Sequence, residues 1–128
     1  MTTTSDKKIK KILIVEDEKP MARALELKLN HSGFESTIAS DGEIALDNLK
    51  KQKFDLVLLD LMIPKIDGFG VLKAMKDNKD KTPVIVASNL GQEDDAQKAK
   101  SMGAKWYFVK SDTPINKIVD YIVGTLMS

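Results

Sequence analysis

The stretch LVLLDLMIP, residues 56–64, is an apolar run that contains a single carboxylate, Asp60. Four apolar residues in a row before the acid are typical of a strand that is buried on both faces. Asp60 then stands at the end of this strand, where a ligand can reach it. Three other apolar runs end in groups that can carry chemistry, which are Glu16 and Asp17 after ILIV, Ser88 after VIVA and Lys110 after WYFV. We expect these five side chains to form one site.

Short apolar runs alternate with longer amphipathic segments along the chain. The pattern predicts strands over 10–15, 34–39, 54–59, 84–87 and 105–109. It predicts helices over 19–32, 41–52, 69–78, 93–102 and 114–127. Strict alternation favours a doubly wound α/β fold, in which five parallel strands carry helices on both faces. The strand order that we expect is the flavodoxin-like order 2-1-3-4-5, with ligands bound at the carboxyl ends of the strands.

Single residues mark the ends and the inner faces of the predicted helices. Asp41 can cap the second helix, and Ile44, Ala45 and Leu49 are expected to face the core. Gly33 suits the end of the first helix, because glycine readily adopts the left-handed backbone at which many helices stop. Polar residues are interleaved in the second strand, which places that strand at an edge of the sheet.

Length and composition exclude several classes of protein. The 128 residues are enough for one domain, which we assign to residues 9–128 behind a polar tail over 1–8. A net charge of +1 does not favour nucleic acid or a membrane surface as a direct partner. No apolar stretch approaches the roughly 20 residues that span a bilayer. The chain has no cysteine, which excludes thiol chemistry and suits a cytoplasmic location.

The acids Glu16, Asp17 and Asp60 would repel one another in a common site unless a cation lay between them. Hard oxygen ligands in this number suit Mg²⁺, and the backbone carbonyl of Met62 could add another oxygen if the loop after Asp60 turns back. A carboxylate beside Mg²⁺ can attack phosphorus and become an aspartyl phosphate. The ammonium and the hydroxyl at the other two strand ends could then bind the phosphoryl oxygens.

The chain resembles the receiver domain of two-component response regulators over roughly residues 10–127. The matching features are the acidic pair in IVEDE (14–18), Asp60 in LLDLMIP (58–64), Gly68, Ser88, Gly103-Ala104, and Tyr107 three residues before Lys110. The resemblance implies that Asp60 is the phosphoacceptor and that Lys110 contacts the phosphoryl group. It also implies a Mg²⁺ site formed by Glu16, Asp17, Asp60 and the Met62 carbonyl, and a switch formed by Ser88 and Tyr107.

The function that the resemblance implies is Mg²⁺-dependent acceptance of a phosphoryl group from a histidine kinase or a phosphotransfer protein. Such a domain is a signalling module and not an enzyme with a separate substrate, although it assists its own phosphorylation and dephosphorylation. Phosphorylation is expected to alter the surface of the fourth helix, fifth strand and fifth helix, and with it the affinity for a downstream protein. Receivers of this family often form homodimers when they are phosphorylated.

Two other functions stay open at this point. A phosphohydrolase with an aspartyl intermediate would share the strand-end aspartate, but such enzymes usually carry a general acid two residues on, where Met62 stands. A receiver-like module could also bind its partners without phosphorylation. The chain departs from the commonest family pattern at Glu16, Asn89 and Ser111. Proline and a cis bond are usual at the last position, so the isomer of the Lys110–Ser111 bond is open.

Overall fold

The computed structural model describes residues 9–90 and 92–127. The proposed tail over 1–8 lies outside these residues. The strands are β1 (Lys11–Val15), β2 (Glu35–Ala39), β3 (Leu56–Leu59), β4 (Val84–Ser88) and β5 (Ala104–Val109). The helices are α1 (Lys19–His31), α2 (Gly42–Lys51), α3 (Gly68–Asp77), α4 (Glu93–Ser101) and α5 (Ile115–Met127), with a 3₁₀ turn at Lys110–Asp112. Each predicted element is present, and no end differs by more than two residues.

The five strands form one parallel sheet in the order β2-β1-β3-β4-β5, which confirms the predicted topology. The interleaved strand β2 lies at an edge, as its polar residues indicated. The strand order reverses between β1 and β3, where Val15 is the register partner of Leu59. Leu59 in turn pairs with Val86 of β4. The residues that follow β1, β3 and β4 therefore leave the sheet side by side at its carboxyl edge.

Two apolar layers enclose the sheet, one on each face. Neighbouring residues of a strand point to opposite faces, so that Leu13 packs in one layer and Ile12 in the other. The first layer lies between the sheet and α2, α3 and α4, and the second lies between the sheet and α1 and α5. The central strands β1, β3 and β4 contribute almost fully buried side chains to both layers. The sheet is thus held rigidly between the helices, and its carboxyl edge provides a firm base for a site.

The start of α2 shows one confirmed expectation and one that is wrong. Asp41 caps the helix, because its Oδ1 accepts a hydrogen bond of 2.8 Å from the Ile44 N–H. Ala45 is buried and Leu49 packs against the core, but Ile44 is 40% exposed. Ala45 and Leu49 lie four residues apart on one helical face, whereas Ile44 is turned about 100° from that face. The sequence pattern alone did not distinguish Ile44 from the core-facing residues Ala45 and Leu49.

No helix within the described ranges is long and apolar enough to cross a membrane.

Candidate functional site

Three carboxylates meet at the carboxyl edge of the sheet. Glu16 and Asp17 directly follow β1, and Asp60 directly follows the neighbouring strand β3. One oxygen atom of each side chain lies within 4.8 Å of an oxygen of the other two. Glu16 and Asp60 are buried, with 3% and 5% exposure, while Asp17 is open to solvent. The predicted acidic cluster is therefore formed in the structure, with one side accessible from outside.

The Lys110 side chain enters the acidic cluster from the end of β5. Its Nζ donates hydrogen bonds to Glu16 Oε1 at 2.8 Å, to Asp60 Oδ2 at 2.9 Å and to Glu18 Oε1 at 3.1 Å. The Lys110 side chain is only 7% exposed. An ammonium group has three donors, and each of them finds a carboxylate here. Lys110 thus offsets part of the negative charge that the strand ends bring together.

The buried charges shift the pKa values of Glu16 and Lys110 upward. Burial raises the pKa of the Glu16 carboxyl, although hydrogen bonds from Lys110 and from the Glu18 N–H act in the opposite direction. Burial by itself would lower the pKa of Lys110, but hydrogen bonds to Glu16 and Asp60 outweigh it and raise that pKa above its usual value. The causes differ, because burial raises the pKa of Glu16 against the effect of Lys110, whereas the carboxylate partners raise the pKa of Lys110 against the effect of burial. Lys110 therefore stays charged at neutral pH.

Hydrogen bonds hold the Asp60 carboxylate in one orientation. Its Oδ1 accepts from the Ser88 hydroxyl at 2.8 Å and from the Met62 N–H at 3.0 Å. Its Oδ2 accepts from Lys110. The Asp60 N–H donates to the Val15 carbonyl at 3.0 Å, which fixes the backbone against β1. Groups of the protein itself therefore fix the position of the carboxylate, as a reacting group requires.

Ser88 and Tyr107 both contact the segment that follows β4. The Ser88 side chain is fully buried, and its Oγ accepts a long hydrogen bond of 3.4 Å from the Leu90 N–H. The Tyr107 hydroxyl donates to the Leu90 carbonyl. Burial raises the pKa of Tyr107, and the charges of Asp95 and Asp60 act in the same direction. The residue pair that the resemblance assigns to a switch is thus connected through Leu90.

The loop between β3 and α3 returns tightly onto Asp60. The Gly68 N–H donates to the Leu61 carbonyl at 3.0 Å. A Cβ atom at Gly68 would lie 2.5 Å from Leu61 Cα and 2.8 Å from the Asp60 carbonyl oxygen, so the loop requires glycine there. The Met62 side chain is 56% exposed beside the acids. A metal contact through the Met62 carbonyl stays a prediction.

A cleft of about 290 Å³ opens over Asp17 and Asp60. It is lined by Asp17, Glu18, Asp60, Met62, Asn89 and Lys110. Sequence reasoning assigned no role to Glu18 or Asn89. The signal for Glu18 was its place as the third acid of the Glu-Asp-Glu run, whereas the role of Asn89 depends on a residue 22 positions away.

Two departures from the family pattern contact each other. Asn89 Oδ1 accepts a hydrogen bond of 2.8 Å from the Ser111 N–H, which ties the loop after β4 to the loop after β5. Proline at position 111 could not make this bond, because proline has no N–H. No peptide bond in the described ranges is cis, and the Lys110–Ser111 bond is therefore trans.

Comparison with curated proteins gives relatives that are longer than this chain. The family profile described as response regulator receiver domain matches residues 12–122. The alkaline phosphatase synthesis transcriptional regulatory protein PhoP of Bacillus subtilis is 37% identical over 105 residues, which cover 82% of this chain and 44% of PhoP. The response regulator ArlR of Staphylococcus saprophyticus is 38% identical over 100 residues, which cover 78% of this chain and 45% of ArlR. The chain thus spans less than half the length of the curated relatives it matches.

Solved structures share the fold over most of the chain. The receiver domain of the Francisella response regulator 1452 superposes with a TM-score of 0.84 at 27% identity, covering 88% of this chain and 93% of that one. The chemotaxis response regulator CheY4 of Vibrio cholerae gives a TM-score of 0.83 at 26% identity, covering 93% of this chain and all of that one (100%).

Proposed function

Since the chain belongs to the response regulator receiver domain family of two-component signalling, we propose that its Asp60 accepts a phosphoryl group. The donor would be a histidine kinase or a histidine phosphotransfer protein. The observation that carries the proposal is the Asp60 carboxylate itself, which is held at the floor of an open cleft with the Lys110 ammonium 2.9 Å away. A positioned nucleophile beside a fixed cation is what phosphoryl transfer requires.

The chain's own residues divide the work of the transfer. An Asp60 oxygen forms the new bond to phosphorus while the bond from phosphorus to the donor's imidazole nitrogen breaks. Lys110, whose raised pKa keeps it protonated, is placed to bind a phosphoryl oxygen as the phosphoryl group moves onto Asp60. Ser88 offers a second donor, because its hydroxyl already points at Asp60 Oδ1.

The donor set fits Mg²⁺. Two buried carboxylates and one exposed carboxylate provide hard oxygen ligands within a few ångströms of one another, and a single ammonium leaves the cluster short of positive charge. Glu16, Asp17, Asp60 and the Met62 carbonyl would hold the ion. When bound, Mg²⁺ would neutralise the phosphoryl oxygens and orient them toward Asp60.

Phosphorylation would reach the surface through the segment after β4. A phosphoryl group on Asp60 offers new acceptor oxygens, toward which the Ser88 hydroxyl would turn and draw Leu90 with it. Tyr107 would then exchange its hydrogen bond with the Leu90 carbonyl for an inward position. The resulting population shift alters the face formed by α4, β5 and α5. A downstream protein or a second copy of the chain would bind that face in its shifted form.

The proposal predicts one Mg²⁺-dependent label on Asp60. We expect acetyl phosphate with Mg²⁺ to add the mass of one phosphoryl group to the intact chain, and EDTA to prevent the addition. Asp60→Ala should remove the label, because Asp60 is the buried carboxylate that lines the cleft beside the Lys110 ammonium. Asp112→Ala, a change of an exposed acid in the turn after β5, is the matched control and should label normally. A label that persists on Asp60→Ala in intact-mass spectrometry would contradict the assignment.

The two rival functions have less support. Met62 lies where an aspartyl phosphohydrolase would carry its general acid, and its exposed thioether has no proton to give. Sustained multiple turnovers of p-nitrophenyl phosphate would nevertheless favour that enzyme. A binding module that works without phosphorylation would not need a complete set of acids, ammonium and hydroxyl around Asp60.

A further inference from the structure

Two neighbouring grooves lie at the amino edge of the sheet, opposite the acidic cleft. The first, of about 490 Å³, lies between the ends of α3 and α4 and the starts of β4 and β5. The second, of about 620 Å³, lies between the ends of α2 and α3 and the start of β3. Both share the segment 79–82 and the side chain of Met75. Their apolar floors consist of Leu72, Met75, Val84 and Met102 in the first groove and Leu46, Leu49 and Phe54 in the second.

Lysines surround both grooves. The rim carries six exposed ammonium groups, those of Lys50, Lys53, Lys76, Lys79, Lys81 and Lys105. None of the six takes part in an ion pair among the residues that the structure describes. The only acid in either lining is Asp80, whose Oδ1 is engaged by the Thr82 N–H at 3.0 Å and by the Thr82 hydroxyl at 2.6 Å. In a chain of net charge +1, the linings of the two grooves thus hold six lysines and one acid.

Helix ends explain only part of this lysine set. Lysines near helix C-termini are favoured by the helix dipole, which accounts for Lys50 and Lys76. Lys53, Lys81 and Lys105 lie outside these helices. The fold itself therefore does not require positive charge at those positions.

Lys79 stands at a position that suits glycine. It adopts a left-handed backbone, with φ of 57°, directly after the end of α3, where the Asp80 N–H donates to the Met75 carbonyl. Gly33 and Gly103 take the corresponding left-handed positions after α1 and α4. A side chain at such a position is strained. The lysine at this position supplies an ammonium between the two grooves, which a glycine would not.

We propose that the amino-edge face, formed by these two grooves and their six lysines, binds an acidic polypeptide segment that also carries apolar side chains. The ammonium groups would pair with carboxylates of the segment, and the apolar floors would take its leucine-like side chains. Nucleic acid fits less well, because a phosphate backbone has no apolar side chains to bury in these grooves. The inference goes beyond the proposed phosphorylation, since the five-residue strand β4 separates the two edges by about 16 Å.

The first test is binding of a defined probe to the full chain. The probe is a fluorescein-labelled peptide of about 12 residues that alternates glutamate pairs with single leucines. We expect fluorescence anisotropy to give a Kd below about 100 µM at low salt. Amide resonances of residues 72–83 and 101–105 should shift on binding, and those of Glu16 and Asp60 should not. No binding at millimolar peptide, or shifts confined to another face, would overturn the proposal.

Charge reversal then tests the lysines. Lys79→Glu/Lys81→Glu should weaken the peptide at least about tenfold, whereas Lys28→Glu/Lys117→Glu, with the same net charge on α1 and α5, should change the Kd less than about twofold. Lys79→Gly distinguishes loss of binding from loss of folding, because it should raise the urea midpoint of the chain while it weakens binding of the peptide. A Lys79→Gly variant that is more stable and binds as well as the parent would contradict the role of Lys79.

Binding of matched ligands distinguishes an acidic peptide with apolar side chains from other polyanions. The same peptide with every leucine replaced by serine should bind at least about tenfold more weakly, as should a short duplex DNA and vesicles of anionic lipid. If any of these bound as tightly as the leucine peptide with the same dependence on Lys79 and Lys81, the face would be a general polyanion surface and the peptide assignment would be wrong.

Discussion

Lys110 is the residue on which the electrostatics of the acidic cleft depend. One ammonium, 7% exposed, serves three carboxylates, of which Glu16 and Asp60 are buried and Glu18 is open to solvent. Because the positive charge does not balance the negative charge, the folded chain holds Glu16 at a cost. The excess negative charge lowers the stability of the folded chain and favours the binding of a further cation, a trade that is common in metal-binding sites.

Glu16→Gln should stabilise the fold and weaken its response to Mg²⁺. The pKa of Glu16 is higher in the folded chain than its ordinary value of 4.5, so the folded state binds the proton more tightly. The stability that Glu16 contributes is therefore present at low pH and lost as the pH rises through 4.5 and the raised value. At pH 7 with EDTA we expect the variant to gain about 1 kcal/mol in the free energy of unfolding.

With Mg²⁺ bound, the parent chain should become more stable than Glu16→Gln. At tenfold excess over its Kd, Mg²⁺ should add about 1.4 kcal/mol to the parent chain and much less to Glu16→Gln. Urea unfolding at pH 7, with and without Mg²⁺, measures both effects, and Glu43→Gln, a change of an exposed acid on α2, is the control. A variant that is less stable than the parent in EDTA, or that gains equally from Mg²⁺, would disprove this account of the cluster.

At the scale of elements, the loop after β3 rests on the start of α2. The Gly42 N–H donates to the Pro64 carbonyl at 3.2 Å. A Cβ atom at Gly42 would overlap the backbone carbonyl of Ile66. The loop that begins at Asp60 and returns at Gly68 is thus supported from outside by a second helix. The close approach explains why α2 starts with glycine at a buried position.

Gly42→Ala and Gly124→Ala should have opposite effects on stability. At Gly42 the new methyl group must push two backbone segments apart, which we expect to cost about 2 kcal/mol. At Gly124, within α5, an added Cβ meets nothing within 4 Å, so alanine should gain about 0.5–1 kcal/mol through its higher helix propensity. Urea midpoints compare the two variants directly. Equal effects of one sign would show that helix propensity, not the contact with Ile66, governs position 42.

At the scale of the whole molecule, one rigid sheet joins two separate apolar layers. Leu29 of α1 packs in the layer that includes α5, and Leu72 of α3 packs in the opposite layer. Both side chains are almost fully buried, with 0% and 2% exposure. Because β1 and β3 contribute side chains to both layers, the loss of either layer would remove half of the packing that holds these strands. We therefore expect the domain to unfold as one unit.

Leu29→Ala and Leu72→Ala should each destabilise the whole domain. Loss of a buried leucine costs about 2–5 kcal/mol, a large share of the roughly 5–15 kcal/mol that a domain of this size has. Leu27→Ala on the exposed face of α1 is the control and should change stability by less than about 0.5 kcal/mol. Circular dichroism and Trp106 fluorescence should follow the same urea transition in every variant. Two separate transitions would mean that the layers unfold independently.

The sequence predicted the alternation of strands and helices and the two-sided burial of β1, β3 and β4. It also predicted which side chains lie at strand ends, namely those of Glu16, Asp17, Asp60, Ser88 and Lys110. These features follow from local rules. Apolar runs and helical periodicity are encoded by neighbouring residues, and a parallel sheet brings every strand end to the same edge. The outward position of Ile44 was not predicted, because it lies one helical step beside the buried stripe.

Tertiary structure alone decided which groups meet across loops. Glu18 shares Lys110 with two buried acids, Asn89 binds the Ser111 N–H, and six lysines from scattered segments surround the amino-edge grooves. The two hydrogen bonds join residues that are 92 and 22 positions apart, and the lysines come from separate segments of the chain. Strand order is determined by burial, but the partners of exposed side chains depend on loop paths, and those paths are set only when the layers have packed.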